Sequence, residues 1–281
     1  MMKRNVCFEE NMKKFCQEDG KYFILALDHG NGGRIALSNP GEVIKKAVDA
    51  GVDGVLTNYG VFKAFPEAFV REDGHEVGKM LRIDRLGTVL GTHYLHEQPG
   101  LRWNLEEAQK TLGINGVMCM GFPGMPDGPN GENTDELSVQ LIADMVQECD
   151  RLGLVSAAEM LPRGKSNDPA DRTVEAMKIA CRVAAEYGAD LVKTEVVGTA
   201  EEFHTVVENT YVPVLALGGV KNADVKAVFA QCKNAMDAGC KGLVVGRNIW
   251  GDANVAGMVK ALKAIVHENA TVEEAYAKYV G

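Results

Sequence analysis

The sequence predicts a single-domain (β/α)8, or TIM, barrel, and three observations lead to it. A helix ending on glycine, a two-residue turn and an apolar strand recur at 50–56, 112–118, 187–192 and 238–244. Glycine just past a helix takes the left-handed conformation that closes the helix and lets a strand begin at once. Eight short apolar runs alternate with helical patterns along the chain, and eight strand–helix units in about 250 residues form one barrel. The 31 glycines among 281 residues suit a chain with that many short turns. A doubly wound open sheet is the alternative.

Taken in order, the expected strands are 23–27, 54–57, 88–92, 116–120, 154–158, 190–194, 212–217 and 242–245. Each is apolar and punctuated by turn formers. The expected helices begin with 40–50, where Ser38-Asn39-Pro40 supplies a cap and a proline for the first turn. Amphipathic patterns follow at 133–152 and at 169–187, the second opening on Asp168-Pro169, and then at 222–238 and 255–268. A last helix, 272–279, starts at Thr271 with Glu274 three residues on, the capping-box spacing. The charged stretch 71–85 reads as an excursion of the second helix region. Residues 1–20 form an N-terminal extension and 268–281 the C-terminal helix of one domain spanning 1–281. Loops 122–132 and 162–168 follow strands four and five, so both fall on the C-terminal face.

Charge narrows the function. Thirty Lys and Arg against 39 Asp and Glu give −9, which lacks the electrostatic footprint of a nucleic-acid or anionic-membrane binder. The seven cysteines are scattered with no Cys-x-x-Cys spacing, so buried free thiols in a reducing compartment are expected. No apolar run approaches the roughly 18 residues of a membrane span, and residues 1–20 do not read as a signal peptide. A cytoplasmic protein is the expectation. His93 and His96 are three apart, but no third ligand is identifiable, so neither a metal nor another cofactor is expected.

The residues that could carry chemistry gather at strand ends. In 190–194, Leu191 and Lys193 share a face because side chains alternate along a strand. A lysine at the C-terminal end of a barrel strand stands where such barrels place their chemistry. Burial near other cations is expected to lower its pKa toward a nucleophilic amine, whereas a solvated lysine after an apolar run is the plainer reading. Asp28 and His29 end the first strand; Asp28 is a candidate proton carrier, or a turn cap. Gly218, Gly219 and Lys221 follow strand seven, and Gly246 and Arg247 follow strand eight. Loops seven and eight hold phosphate in many barrels, with glycines letting backbone N–H groups approach the anion.

The stretches Leu25-Ala26-Leu27-Asp28-His29-Gly30, Leu161-Pro162-Arg163-Gly164, Leu191-Val192-Lys193-Thr194, Gly218-Gly219-Val220-Lys221 and Val244-Val245-Gly246-Arg247-Asn248-Ile249-Trp250 occur in that order. With them the chain resembles the archaeal-type (DhnA-type) class I aldolases, which include fructose-bisphosphate aldolases and a thiolase acting on phosphorylated autoinducer-2. The resemblance implies that Lys193 forms a Schiff base, that Asp28 moves protons, and that Gly218, Gly219, Lys221, Gly246 and Arg247 hold substrate phosphate. His29 and Arg163 are further candidate substrate contacts. The partner it implies is a phosphorylated sugar, and the assembly a homo-oligomer. One departure stands out. The fructose-bisphosphate aldolases resemble Trp-x-Tyr-Pro-Arg-Gly on strand five, whereas this chain has Glu159-Met160-Leu161-Pro162-Arg163-Gly164. Leucine transfers no proton. Glu159 shares strand parity with Leu161 and is therefore the candidate to supply the lost proton transfer, to bind a substrate hydroxyl, or to sit in a structural pair. The expected activity is a class I aldolase acting on a phosphorylated keto sugar. The alternatives are a thiolase or transferase on a phosphorylated ketose, and a phosphosugar-binding barrel without turnover.

Overall fold

Each strand of the protein is four to six residues long and buried along nearly its whole length, which is what a parallel sheet covered on both faces requires. The computed structural model describes residues 6–33, 37–84, 103–128, 131, 133–162 and 171–281. The strands are β1 (Tyr22–Leu27), β2 (Gly54–Thr57), β3 (Gly78–Arg82), β4 (Gly116–Gly121), β5 (Val155–Met160), β6 (Leu191–Thr194), β7 (Val214–Leu217) and β8 (Gly242–Val245). They pair in parallel and in chain order, and β8 returns to β1, so the sheet closes into a barrel. The helices are α1 (Val6–Lys13), α2 (Pro40–Ala50), α3 (Tyr59–Ala64), α4 (Leu105–Leu112), α5 (Thr134–Leu152), α6 (Val174–Glu186), α7 (Ala200–Asn209), α8 (Val225–Asp237), α9 (Arg247–Trp250), α10 (Val255–His267) and α11 (Val272–Tyr279).

The recurring glycines do what their spacing requires. Gly51, Gly113, Gly188 and Gly239 have φ of 110, 64, 93 and 96°, the left-handed region that ends a helix. Capping follows suit. Asn39 accepts a hydrogen bond from the Glu42 amide, and Thr271 and Glu274 form a reciprocal capping box. Two-residue alternation then sorts the strands. Ile24, Leu56, Met80, Met118, Leu191 and Leu215 fill the barrel interior, while Leu25, Val55, Leu81, Val117 and Val192 face the helices.

One expected strand is corrected. The third stave is Gly78–Arg82, inside the stretch read as a helical excursion; residues 88–92 lie outside the described residues. Its two charges disguised it. Lys79 turns toward the helices and pairs with Glu76 at 2.6 Å, whereas Arg82 points into the barrel. Expected helix starts move as well. Thr173 caps α6, so that helix begins at Val174 rather than 169, and Asp224 caps α8. Of the seven cysteines, five are buried free thiols, while Cys7 is exposed and Cys16 half-buried. Among the described residues no helix is long and apolar enough to cross a membrane.

The N-terminal end of the barrel is stoppered by Phe15, which is fully buried. A Cβ on Gly54 or Gly78 would fall 2.7 or 2.4 Å from its ring, so these strands carry glycine where the ring enters. Phe15→Ala should cost about 3–5 kcal/mol of unfolding free energy, measured by urea denaturation.

At the same end Asp53 accepts from the Phe23 amide (2.7 Å) and from Gln17 (2.7 Å), and the His267 ring bridges Asp19 (2.9 Å) and Asp53 (3.1 Å). Burial pushes the imidazolium down, but hydrogen bonds and charge from Asp53 and Asp19 outweigh it and raise the pKa above its ordinary 6.5. A raised histidine pKa stabilises the fold fully below about 6.5, and that stability is lost as pH rises through the folded value. The gap in urea midpoint between the protein and His267→Gln should therefore narrow as pH rises above 6.5.

Candidate active site

The C-terminal mouth of the barrel opens into a cavity of about 570 Å³, a volume that suits a small metabolite. The pairing of β6 with β5 aims Lys193 into it. Asp190, just before β6, accepts from both the amide (2.9 Å) and the hydroxyl (2.8 Å) of Ser156 on β5. Thr194 faces the other way and donates to the Met160 carbonyl at 2.7 Å. These bonds fix a register in which Glu159 and Lys193 are direct partners on adjacent strands. Parallel neighbours in register project the same way, so the two side chains meet inside the mouth, Lys193 Nζ lying 2.9 Å from Glu159 Oε1.

Asp28, at the end of β1, completes the group through Arg82. The guanidinium donates from Nε to Asp28 Oδ2 at 2.7 Å, from Nη1 to Asp84 at 3.4 Å, and from Nη2 to the second oxygen of Glu159. Lys193, Glu159 and Arg82 are only 5, 6 and 6 % exposed. Charges this deeply buried persist only because each is paired. Burial pushes the Asp28 carboxyl up, but Arg82, Lys193 and His29 overcome it and hold it at about 2. Glu159 is likewise lowered, burial being outweighed by Lys193 and Arg82. Asp84 goes the other way, raised by burial and by the Glu159 charge against the pull of Arg82.

His29 borders the cavity and lies 3.7 Å from Asp28 Oδ1, its ring edge-on to Trp250. Its buried Nδ1 makes no hydrogen bond among the described residues. Burial, Arg247 and Lys193 lower its pKa despite Asp28, favouring the neutral ring.

The cavity is also lined by Gly218, Gly219 and Val220 after β7 and by Gly246 and Arg247 after β8. Asn248 ties the two loops together: its Nδ2 donates to the carbonyls of Gly218 (2.7 Å) and Val220 (3.0 Å), and its Oδ1 accepts from the Asn222 amide (2.9 Å). Lys221 turns instead to Asp252, 3.2 Å away. Leu161 faces the cavity and packs with Phe122 and Met125. Arg163, His93 and His96 lie outside the described residues.

The sequence reading named Lys193, Asp28, Glu159, His29, Gly218, Gly219, Gly246 and Arg247 as candidates, and these line one cavity. It missed Arg82, Asp84 and Asn248. A signal for the first two was present, because Met80, Arg82 and Asp84 alternate toward one face once 78–82 is read as a strand.

Comparison with known proteins bears on what such a site does. A family model described as DeoC/LacD family aldolase matches residues 22–252. An uncharacterized aldolase of Saccharolobus solfataricus is 26% identical over 262 residues, covering 92% of this chain and 94% of the relative. The 2-amino-3,7-dideoxy-D-threo-hept-6-ulosonate synthase of Halobacterium salinarum is 28% identical over 262 residues, 92% of each chain. Among solved structures, that of an archaeal fructose 1,6-bisphosphate aldolase superposes with a TM-score of 0.77 at 25% identity, over 93% of this chain and 99% of the other.

Proposed function

The chain belongs to the DeoC/LacD family of aldolases, and from that premise we propose that it is a metal-independent class I aldolase acting on a phosphorylated keto sugar through a Schiff base on Lys193. The observation that carries the reading is the buried Lys193 amine, 2.9 Å from the Glu159 carboxylate, facing a cavity that is also lined by the glycine loops after β7 and β8. A proton carrier at hydrogen-bond distance is what an amine needs to add to a carbonyl and then expel water.

The steps follow from the layout. Glu159 takes the proton that Lys193 Nζ must lose, and the freed amine adds to the substrate ketone. The carbinolamine oxygen then leaves as water with that proton, giving an iminium. Asp28 accepts the proton of the hydroxyl one carbon beyond the adjacent carbon. The oxygen's electron pair becomes the carbonyl of the departing aldehyde, and the broken carbon–carbon pair flows into the iminium as an enamine. Amides around Gly218, Gly219 and Gly246, with Arg247, are placed to hold the phosphate; Lys221 and Arg163 are the more peripheral candidates. Anchoring that anion holds the ketone against Lys193 in a near-attack arrangement. His29 faces the substrate hydroxyls. The substrate is soluble and phosphorylated, consistent with a cytoplasmic enzyme, and a homo-oligomer is the expected assembly.

The test is to incubate the protein with dihydroxyacetone phosphate, fructose 1-phosphate or fructose 1,6-bisphosphate, add borohydride, and map the adduct by mass spectrometry. A reduced adduct on Lys193 with at least one of these is the expected result. An unmodified chain with all three would refute the reading.

A further inference from the structure

The Asp28–Arg82–Glu159–Lys193 row contains a member with no place in the chemistry above. Arg82 borders the cavity, yet each of its three nitrogens is engaged by a carboxylate: Nε by Asp28, Nη1 by Asp84 and Nη2 by Glu159. A planar fork spent on three carboxylates is poorly placed to bind substrate as well; what it does is hold its partners at fixed separation. We infer that Arg82 is a positioning residue that keeps Asp28 and Glu159 apart as two ionised carboxylates, assigning Glu159 to the lysine nitrogen and Asp28 to the substrate hydroxyl. This inference rests on the Schiff-base reading.

The geometry explains why such a clamp is needed. Two carboxylates in one buried mouth repel, and without a cation between them one takes up a proton. Lys193 pairs with Glu159 at 2.9 Å. Among the described residues, Arg82 is the cation paired with both carboxylates. Its charge is permanent, so it cannot drain the proton being moved. Among the described residues, the other charged or titratable groups around this set are His29 beside Asp28, Asp84 beyond β3, Cys119 on β4, Arg247 past β8, and the Arg172 and Glu195 side chains that line the same cavity. The permanent cations among these are Arg247, whose charge bears on His29, and Arg172, which pairs with Glu195 at 2.8 Å.

The experiment follows deuterium exchange at the carbon beside the carbonyl of dihydroxyacetone phosphate, across pH, for the unaltered protein, Arg82→Met and Arg82→Lys. Borohydride trapping runs in parallel. Arg82→Met should still give the Lys193 adduct but lose about 10²-fold in exchange rate near neutral pH. Its acid limb should move to higher pH by about one unit or more, because the carboxylates lose the cation that keeps them ionised. Arg82→Lys should restore the limb but not the rate, since a point charge replaces the charge without spanning three carboxylates. A rate within twofold of the unaltered protein and an unmoved limb in Arg82→Met would overturn the inference. Should that variant fail to fold, full exchange rate in Arg82→Lys overturns it equally. Absence of an adduct in the unaltered protein removes the Schiff-base reading and this inference together, whereas an adduct with unmoved profiles removes only the role of Arg82.

Discussion

Lys193→Met abolishes the borohydride-trapped adduct and lowers turnover by on the order of 10⁴-fold or more, the scale seen when a covalent nucleophile is removed. No other lysine borders the cavity among the described residues, since Lys221 is held by Asp252 and Lys79 faces the helices beside Glu76. A substitute amine is therefore not at hand. Methionine matches the length of the lysine stem, so the packing beside Leu191 and Leu215 persists. Glu159 keeps its contact with Arg82 and is not left as an uncompensated buried charge. The variant should fold, and phosphate protection of the glycine loops, followed by hydrogen exchange, should survive. An adduct of undiminished mass and yield in Lys193→Met places the chemistry on another residue and ends the proposed function.

What could be read from the sequence were the features whose physics is local. A glycine after a helix, a serine or asparagine before one, and paired glycines at strand ends each act within a few residues, so their spacing reports them directly. Seven of the eight staves were legible for that reason. β3 was not, because it carries two charges, Lys79 paired locally with Glu76 and Arg82 buried by partners elsewhere. Arg82 is neutralised by Asp28 and Glu159, which lie 54 and 77 residues away in the chain. A charge looks solvated until its remote partner is known. The same limit hid Asn248, whose function is to bridge two loops about 30 residues apart. Phe15 belonged to a stretch read only as an extension, since nothing local marks a side chain that fills a glycine-lined opening. Glu159 is the instructive case between these extremes. Strand parity placed it facing inward, but only the register with β6 shows that it meets Lys193 rather than an unrelated polar neighbour.

That meeting gives the second large effect. Glu159→Gln should retain the adduct at Lys193 but lower turnover by about 10²–10⁴-fold, the range for general acid–base assistance. Glutamine preserves the volume and can still accept from one cation, but its amide neither takes up nor gives back a proton at the pH of the reaction. It also leaves Arg82 and Lys193 sharing less negative charge in a dry site, so unfolding free energy should drop by about 3–5 kcal/mol, near the value for a broken buried pair. The pH dependence separates this from a purely structural pairing. The Glu159 pKa lies below its ordinary 4.5 in the folded chain, so its stabilisation is complete above that pH and is lost as pH falls through the folded value. Acid unfolding of Glu159→Gln should thus be shallower than that of the unaltered protein, and the activity profile should change with it. Near-full turnover with an unchanged pH profile would leave Glu159 a structural pair only. The proton shuttle for Lys193 would then have to be sought in Asp28, which reaches the amine's neighbourhood through Arg82 rather than by a direct bond.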